Sequence, residues 1–467
     1  MPERILFLTG RLAENNLRRV LDGMEAKTFV AEIRQLGVNV AGLMTADMIR
    51  RRLPVEAAQQ ADRIVVPGRC RGDLDALSLH YGVPVLRGPD ELRDLPEFFG
   101  HGAQPPDLSR YDIRIFAEIV DAPALEVEQI LERARRYRDA GADVIDIGCL
   151  PNTPFPHLAD AVRALRAAGY VVSVDSMNSD ELLEGGRAGA DYLLSLNEET
   201  LWLADEVDAT PVLVPAVPGD LQSLLRAMDR LDRAQRAYLA DPILDPLLLG
   251  FTESIARYRE LRRLRPAAEM LMGVGNVTEL TDADTAGINT LLAGIAAELS
   301  INSILTTQVS AHARRAVREA DVARRIVYRA RQDNSLPRDI DPRLMSVHER
   351  HPFPYAPDEI AETAAAVRDP SYRVEVSEAG IHVYNRDGLS SAHDPFALFP
   401  QLSLGDDTGH AFYLGVELAR AQIAWQLGKR YVQDRELYWG CASDLPEEDL
   451  NRQAAPGSTL AKPGASA

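Results

Sequence analysis

The sequence predicts an α/β protein whose largest part, residues 112–335, is a central (β/α)8 TIM barrel. From residue 113 onward, eight short apolar runs occur, and each run is followed by helix-like sequence. Eight such units over about 220 residues are typical of a TIM barrel. A doubly wound open sheet is the competing architecture, but eight evenly spaced units favour closure. The candidate strands are 113–120, 143–148, 170–176, 191–196, 211–216, 237–244, 270–275 and 301–307.

The segment before the barrel, residues 1–103, predicts a Rossmann-like domain. Short apolar runs alternate there with helical patterns, as in βαβ units that build a small parallel sheet. Glycines follow these runs, but GRCRGD (68–73) does not match the GxGxxG fingerprint. Glycines needed only for tight turns explain the pattern better than a dinucleotide site does. The apolar runs are 5–10, 38–45, 63–68 and 83–88.

The segment after the barrel, residues 345–446, predicts an α+β module. Period-two alternation in residues 371–388, around a Glu-Ala-Gly turn, indicates a β-hairpin. Residues 411–434 predict one long amphipathic helix. The low-complexity tail, residues 451–467, is expected to be disordered.

Composition and charge exclude several classes of function. The 467-residue chain carries 51 Lys and Arg against 70 Asp and Glu, a formal net charge of −19. Such a surface repels polyanions, so no nucleic-acid partner is expected. Cys70, Cys149 and Cys441 are widely separated, which argues for a reducing compartment and against a structural zinc site. No stretch resembles a signal peptide or a membrane span, so we expect a cytoplasmic protein without a membrane partner.

Polar side chains follow the predicted barrel strands, at the end where the active sites of such barrels lie. Aspartate and asparagine are preferred helix N-caps, so each residue could cap the following helix. Five polar strand ends in one barrel favour a polar cavity over five separate caps. Carboxylates suit adjacent N–H donors, and an amide offers one donor and one acceptor, which together match the edges of a pterin ring. The residues are Asp146, Asn152, Thr153, Asp175, Asn197, Asp241, Asp245 and Asn276.

Three barrel motifs are GADVIDIGCLPNTPFP (141–156), VVSVDS (171–176) and DYLLSLNEE (191–199). They resemble the pterin-binding superfamily, which includes dihydropteroate synthases and corrinoid-dependent methyltetrahydrofolate methyltransferases. Over its full length, the chain resembles the dihydropteroate synthase-related proteins of organisms that use tetrahydromethanopterin. The resemblance implies a TIM barrel with a reduced pterin as ligand or substrate.

The resemblance also implies which residues contact the pterin. It places the aspartate of the third strand at Asp175, the asparagine of the fourth strand at Asn197 and the aspartate of the sixth strand at Asp241. Asp245 is a second possible alignment for the sixth strand. In the family these residues hold the amino and lactam edge of the pterin. Asn276 matches an asparagine that approaches pterin N5 in the methyltransferases, at a position where a synthase carries lysine.

Two features of a synthase are altered in this chain. The first strand of a synthase ends in an asparagine that helps to hold magnesium and pyrophosphate. Here that region reads EIVDAP and offers Glu118 or Asp121 instead. The eighth strand of a synthase ends in Arg-x-His, whereas TTQVSAHARR here offers His312 and Arg314.

Three functions follow from the resemblance. The first is a dihydropteroate synthase-like transferase of tetrahydromethanopterin biosynthesis, which condenses a dihydropterin methyl diphosphate with an arylamine, with Mg²⁺ on the leaving diphosphate. The second is a methyl or one-carbon transferase acting at pterin N5, and the third is a non-catalytic pterin-binding protein. Asp146 and Asn276 are the candidate catalytic residues, and no metal ligands are assigned. The expected partners are a small-molecule pterin substrate and a second copy of the chain in a homodimer.

Overall fold

The chain divides into two compact units, each made of two stretches of sequence. One unit comprises residues 1–106 and 347–438, and the other comprises residues 107–346 and 439–467. The predicted disordered tail, residues 451–467, lies outside the described residues. The computed structural model describes residues 2–24, 28–89, 92–99, 106–151, 153–338, 340–405 and 407–443.

The N-terminal part of the first unit is a four-stranded parallel sheet with helical connections. Its strands are β1 (Glu3–Thr9), β2 (Phe29–Gln35), β3 (Arg63–Val66) and β4 (Val85–Arg87). They lie side by side in the order β2-β1-β3-β4, which confirms the predicted βαβ architecture. The helices are α1 (Glu14–Gly23), α2 (Ala46–Arg52), α3 (Val55–Ala58), α4 (Leu74–Tyr81) and α5 (Leu95–Phe98).

One predicted strand of this sheet is wrong. Residues 38–45 form a loop with a short 3-10 turn, and the second strand lies earlier, at Phe29–Gln35. FVAEIRQ pairs with β1 along its whole length, because its alternating apolar residues pack on the core around Phe7. Thr45, at the end of the predicted run, accepts a hydrogen bond from the Met48 amide and caps α2 instead.

The second unit is the predicted TIM barrel. Eight parallel strands form one sheet, and a bridge between Ala240 and Met270 joins its two edge strands. The strands are β5 (Arg114–Ile119), β6 (Val144–Gly148), β7 (Val171–Asp175), β8 (Tyr192–Leu196), β9 (Thr210–Leu213), β10 (Leu239–Ala240), β11 (Leu271–Gly273) and β12 (Ser303–Thr307).

Helices follow the barrel strands in sequence and complete the βα repeat. They are α6 (Val127–Ala140), α7 (Leu158–Ala167), α8 (Ser179–Arg187), α9 (Leu203–Glu206), α10 (Leu221–Arg233), α11 (Phe251–Leu264), α12 (Gly275–Thr278), α13 (Thr285–Glu298) and α14 (Ala316–Gln332). Among the described residues, none of the helices is both long and apolar enough to cross a bilayer.

Apolar side chains bury both faces of the barrel sheet. The outer face packs against the helices through residues such as Ile115, Ile145 and Val172. Burial on both faces explains why the strands read as nearly continuous apolar runs. Seven strands fill the interior of the barrel with Phe116, Val144, Leu194, Val212, Leu239, Leu271 and Leu305.

The C-terminal part of the first unit combines an antiparallel sheet with helices. Its helices are α15 (Pro357–Ala366), α16 (Pro395–Leu398) and α17 (Thr408–Leu427), and its strands are β13 (Arg373–Ser377), β14 (Gly380–Asn385) and β15 (Gly388–Ala392). The predicted hairpin is therefore confirmed, with a third strand added. The long helix ends before residue 434, because Gly428 adopts the left-handed conformation (φ 61°) that terminates helices.

Candidate active site

Three carboxyl groups meet at the carboxyl ends of neighbouring barrel strands. Glu118 on β5 is the register partner of Asp146 on β6, and Asp175 ends β7. One oxygen atom from each of these three side chains lies within 4.8 Å of the other two. Three carboxyl groups at this separation cannot all be ionised unless a cation or a hydrogen-bond donor lies beside them. The cluster therefore calls for protons, a cation or N–H donors of a ligand.

Asp146 is the most deeply buried member of the cluster. Its side chain has no exposed surface, and its Oδ1 accepts a 2.5 Å hydrogen bond from Ser173 Oγ. Its Oδ2 has no hydrogen-bond partner among the described residues. Burial raises the pKa of Asp146 well above its ordinary value, and the charges of Glu118 and Asp175 raise it further. An unpartnered buried carboxyl oxygen is costly, so this atom suits a ligand or a cation.

Glu118 is held against the backbone of the next strand. A Cβ added at Gly148 would lie 2.5 Å from Glu118 Oε1, so only glycine leaves room for this carboxyl. Burial, followed by the charge of Asp175, raises the pKa of Glu118 to about 8. A carboxyl group with a pKa in this range can exchange a proton near neutral pH.

A distortion of β8 brings a hydroxyl group to Asp175. The pairing of β8 with β9 shifts register between Leu193 and Leu196, and Ser195 takes a positive φ of 66°. Ser195 Oγ donates a 2.9 Å hydrogen bond to Asp175 Oδ1. Burial raises the pKa of Asp175, and this hydrogen bond partly offsets the increase. A non-glycine residue in this region is strained, and such strain is common where a side chain must be re-aimed at a functional group.

Asp241 extends the acidic site from the sixth strand. Its Oδ1 accepts hydrogen bonds from Tyr258 Oη at 2.6 Å and from the Ile243 amide at 2.7 Å. Burial raises the pKa of Asp241 to about 6, against the lowering effect of these two hydrogen bonds, and the charge of Asp175 adds to the increase. Asp241 and Asp175 therefore lie within electrostatic range of each other.

Asn276 lies beside Asp241 at the end of the seventh strand. A Cβ added at Gly273 would be 3.9 Å from Asn276 Nδ2 and 4.0 Å from Asp241 Oδ2. Asn276 Nδ2 donates a 2.8 Å hydrogen bond to the carbonyl of Leu244, which orients the amide. The structure thus brings five strand-end side chains toward one mouth of the barrel, namely Glu118, Asp146, Asp175, Asp241 and Asn276.

Other predicted site residues are engaged in local structure. Asn197 Oδ1 accepts a 2.9 Å hydrogen bond from the backbone amide of Glu199 and thereby caps a turn. Asp245 forms a 2.6 Å ion pair with Arg257. Thr153 is exposed, and its hydroxyl donates to a neighbouring backbone carbonyl at 3.5 Å. Asn152 lies outside the described residues. Their pterin contacts stay predictions.

Helix capping does not account for the acidic strand ends. Asn178, three residues after Asp175, caps α8 by accepting a hydrogen bond from the backbone amide of Asp180. Asp220 caps α10 in the same way. The carboxyl groups of Asp146 and Asp175 instead bond to serine hydroxyls on the neighbouring strands. For Asp146 and Asp175, the geometry therefore favours a polar cavity over helix capping.

The hydrogen-bond partners of these acids, Ser173, Ser195 and Tyr258, are not among the residues predicted from the sequence. Glu118 is predicted only as an alternative to Asp121. Glu118 closes the first predicted strand and obeys the same strand-end rule as the others. Ser173 and Ser195 were detectable as polar residues inside otherwise apolar strands, VVSVD and YLLSL. Tyr258 lies on α11, 17 residues after Asp241, and nothing local in the sequence links the two.

Comparisons with known proteins bear on both units. Residues 3–90 match the model of a family of unknown function (DUF6513). An uncharacterized protein of Methanocaldococcus jannaschii is 27% identical and covers 93% of this chain and 99% of its own length. Similarity to that protein thus extends over the barrel and its flanking segments together.

Solved structures of dihydropteroate synthases align with about half of the chain. The Yersinia pestis enzyme with a pterine-sulfa conjugate covers 49% of this chain and 95% of its own, with 22% identity and a TM-score of 0.38. The 7,8-dihydropteroate synthase from Vibrio fischeri ES114 covers 49% of this chain and 96% of its own, with 16% identity and a TM-score of 0.39.

The carboxyl cluster fits a hard divalent cation. Mg²⁺ takes oxygen ligands, and carboxylates are the side chains that bind it most often. The oxygens of Glu118, Asp146 and Asp175 that lie within 4.8 Å of one another provide such a donor set. The unpartnered Oδ2 of Asp146 is consistent with this use.

Glu118→Gln should flatten the pH dependence of stability in the ligand-free protein. The folded protein raises the pKa of Glu118 from 4.5 to about 8. Between these values the folded state binds more protons than the unfolded chain, so wild-type stability falls as pH rises from about 5 to 8. Glutamine cannot titrate, so the loss over this range should shrink by roughly 3 kcal/mol. Urea unfolding at pH 5, 6.5 and 8 in EDTA measures the difference.

Glu199→Gln is the control for this experiment, because Glu199 is an exposed acid on the loop after β8. The free energy of unfolding of Glu199→Gln should change with pH as that of the wild type does. Parallel curves for wild type and Glu118→Gln would show that Glu118 titrates normally.

Proposed function

We propose that this protein binds a reduced pterin at the mouth of its barrel and acts on it as a transferase of the dihydropteroate synthase type. The observation that carries the proposal is the cluster of carboxyl groups Glu118, Asp146 and Asp175, together with Asp241, whose pKa the charge of Asp175 raises. Such a cluster needs adjacent N–H donors, and the amino and lactam edge of a pterin supplies them. The motif resemblance around these same residues supports the same ligand.

In the proposed complex, Asp175 and Asp241 accept hydrogen bonds from the pterin edge. Each already has one oxygen bonded to a hydroxyl group, of Ser195 and Tyr258 respectively, which fixes the orientation of the carboxyl. A carboxyl that is oriented in advance binds its ligand without losing further side-chain entropy. Asp146, which is fully buried, is assigned a positioning and electrostatic role.

The proposed reaction joins a dihydropterin methyl diphosphate to an arylamine. The amine nitrogen attacks the methylene carbon, the C–N bond forms, and the C–O bond breaks with its electron pair leaving on diphosphate. The proton of the amine passes to a nearby base or to water. Holding the two substrates in line supplies much of the acceleration. Mg²⁺ carried by the substrate's diphosphate would neutralise the leaving group. In tetrahydromethanopterin biosynthesis the arylamine carries a ribofuranosyl phosphate.

One observation favours methyl or one-carbon transfer at pterin N5 as the second candidate. Asn276 stands at the strand end where a synthase has lysine, and its Nδ2 donates to the Leu244 carbonyl. With the amide oriented in this way, Oδ1 is the atom that would accept a hydrogen bond from the N–H of a protonated ring nitrogen. That arrangement suits a reaction at a pterin nitrogen better than one at a diphosphate.

Product analysis of the purified full chain tests the proposal. Reduced pterins should quench or shift fluorescence saturably, and dihydropterin methyl diphosphate with an arylamine and Mg²⁺ should release pyrophosphate. Methyl transfer from an N5-methylated pterin without pyrophosphate release would replace the synthase reaction with the second candidate. Saturable binding without either reaction would mark a non-catalytic binding protein. Absence of pterin binding by the folded protein would overturn the proposal.

A further inference from the structure

The first unit contains a cavity of about 340 Å³. One wall is formed by the carboxyl ends of β1 and β3, where Thr9, Val66 and Gly68 line the cavity. The opposite wall belongs to the antiparallel sheet and includes Val374 of β13 and Tyr384 of β14. A cavity of this size lies at the lower end of the range for small-molecule sites, about 300–1,000 Å³.

The topology of the parallel sheet places this cavity at its switch point. The chain passes from β1 outward to β2 and then returns to β3 on the other side of β1, giving the order β2-β1-β3-β4. Connections on the two sides of β1 therefore diverge, and a crevice forms between the ends of β1 and β3. Ligands of open parallel sheets bind in this crevice, beyond the carboxyl ends of the strands.

Glycines keep the strand ends around this crevice close to their neighbours. Gly10 directly follows β1, and a Cβ there would lie 2.7 Å from the backbone nitrogen of Ala41. Gly88 follows β4, and a Cβ there would lie 3.1 Å from Val65 Cγ1. The turns after β1, β2 and β4 therefore pack closely at the rim of the cavity, although they lack the GxGxxG spacing of a dinucleotide site.

Aromatic side chains whose hydroxyl groups are already bonded contribute to the lining. Tyr384 Oη donates to Glu375 Oε1 at 3.0 Å, and Tyr431 Oη donates to Glu417 Oε2 at 2.6 Å. These bonds hold both rings in place, and both side chains are almost fully buried, so they form a rigid backing for this part of the cavity wall.

The charged groups of the lining limit how much charge a ligand can carry. Among the described lining residues, the charged side chains are Arg69, Arg373, Glu359 and Glu375. Arg373 is held by Asp369 at 2.8 Å. A diphosphate or triphosphate would bring several negative charges to a lining whose own charges balance, and none of these cations is a lysine of the kind that binds polyphosphates.

We propose that this cavity binds a nucleoside or a nucleoside 5′-monophosphate. The apolar part of the lining receives the base, and the polar edge of the base and the sugar lie against the charged part of the lining, to which Arg69, Glu359 and Glu375 belong. The strand ends lack the GxGxxG spacing of a dinucleotide site, and the balanced charge of the lining disfavours a diphosphate. This inference does not rest on the proposed function, because the two sites lie in different units.

Calorimetric titration of the full chain with the four ribonucleosides and their 5′-monophosphates tests the inference. At least one of the eight compounds should bind saturably, with one site per chain. Asn16→Trp should weaken that binding at least tenfold, because Asn16 lines the cavity from α1. Asn15→Trp is the matched control, since Asn15 is exposed on the same helix, and its affinity should stay within twofold of wild type.

Asp175→Asn, a variant of the barrel site, should also bind the nucleotide within twofold of wild type. If Asn16→Trp fails to fold, Thr363→Trp on α15 obstructs the same cavity from the other side. The inference is overturned if none of the eight compounds binds at millimolar concentration, or if Asn15→Trp and Asn16→Trp bind equally well. Tighter binding of the corresponding diphosphates, by tenfold or more, would also overturn it.

Discussion

Asp175→Asn should lower the affinity for a reduced pterin about 100-fold without unfolding the protein. The substitution keeps the shape of the side chain but replaces a carboxylate that accepts two N–H bonds with an amide that accepts one. A hydrogen bond to a charged group contributes about 1.5–3 kcal/mol, and 100-fold corresponds to about 2.8 kcal/mol. The variant should be at least as stable as wild type without ligand, because one of three crowded acids becomes neutral. Fluorescence titration and thermal unfolding measure the two effects.

Asp180→Asn is the matched control for this prediction. Asp180 is exposed in the first turn of α8, five residues after Asp175, and its side chain is outside the carboxyl cluster. Its variant should bind the pterin as wild type does and lose less than about 1 kcal/mol of stability from the helix dipole. Equal affinity in the two variants would show that the cluster does not contact the ligand. Weaker binding accompanied by unfolding of Asp175→Asn would instead assign Asp175 a structural role.

Arg324→Met should lower the free energy of unfolding by about 3–5 kcal/mol. Arg324 lies on α14 with its side chain completely buried and donates to Asp321 Oδ1 at 2.7 Å and to Asp143. Its guanidinium carbon also lies 3.5 Å from the ring centroid of Tyr111. Asp321 keeps Arg318 and Arg325 as partners, but Asp143 and two backbone carbonyls lose this guanidinium. The loss of several buried, charge-assisted hydrogen bonds at once gives the expected magnitude.

The network around Arg324 joins segments that are distant in sequence at the amino-terminal end of the barrel. The guanidinium donates to the carbonyls of Ile113 and Gly141, both at 2.7 Å, just before β5 and β6 respectively. The amino-terminal end of a TIM barrel contributes to stability rather than to catalysis. The melting temperature of Arg324→Met should therefore fall by roughly 10 °C, since 1 kcal/mol corresponds to about 2–4 °C. Its affinity for a pterin should be unchanged at temperatures where the variant is folded.

Arg329→Met supplies the control on the same helix. Arg329 pairs with Asp333 at 2.6 Å, but the two side chains are 36% and 41% exposed. Pairs that solvent reaches in this way contribute at most about 1 kcal/mol. Equilibrium urea unfolding should separate the two arginine variants by several kcal/mol. A loss below about 1 kcal/mol in Arg324→Met would show that the buried network is compensated elsewhere.

Hydrophobic periodicity alone was sufficient to predict the barrel. Strands buried on both faces need continuous apolar runs, and the helices between them need one apolar side, so the repeat is visible in the chain itself. The strand-end rule then selected Asp146, Asp175, Asp241 and Asn276 from the many polar residues of the chain. The error at residues 38–45 arose because an apolar run in a loop has the same composition as a short edge strand.

Residue type at a strand end did not reveal what each side chain contacts. Asp245 and Asp241 are both aspartates after the sixth strand, yet Asp245 is paired with Arg257 while Asp241 lies in the site beside Asn276. Asn197 is the residue that the family motif selects, yet its side-chain oxygen caps a turn. These differences depend on partners in other elements, which no local pattern encodes.

The sequence by itself determined the order of the elements, the closed barrel and the end of the barrel at which the candidate site lies. These features depend on local periodicity and on the fixed direction of parallel strands. Only the tertiary structure decided which acids meet. The meeting of Glu118, Asp146 and Asp175 depends on strand register, on the space left by Gly148 and on the bulge at Ser195. Likewise, the cavity of the first unit is built from two segments that the barrel separates in sequence. Electrostatic and steric terms of this kind act between residues that are close in space and distant along the chain.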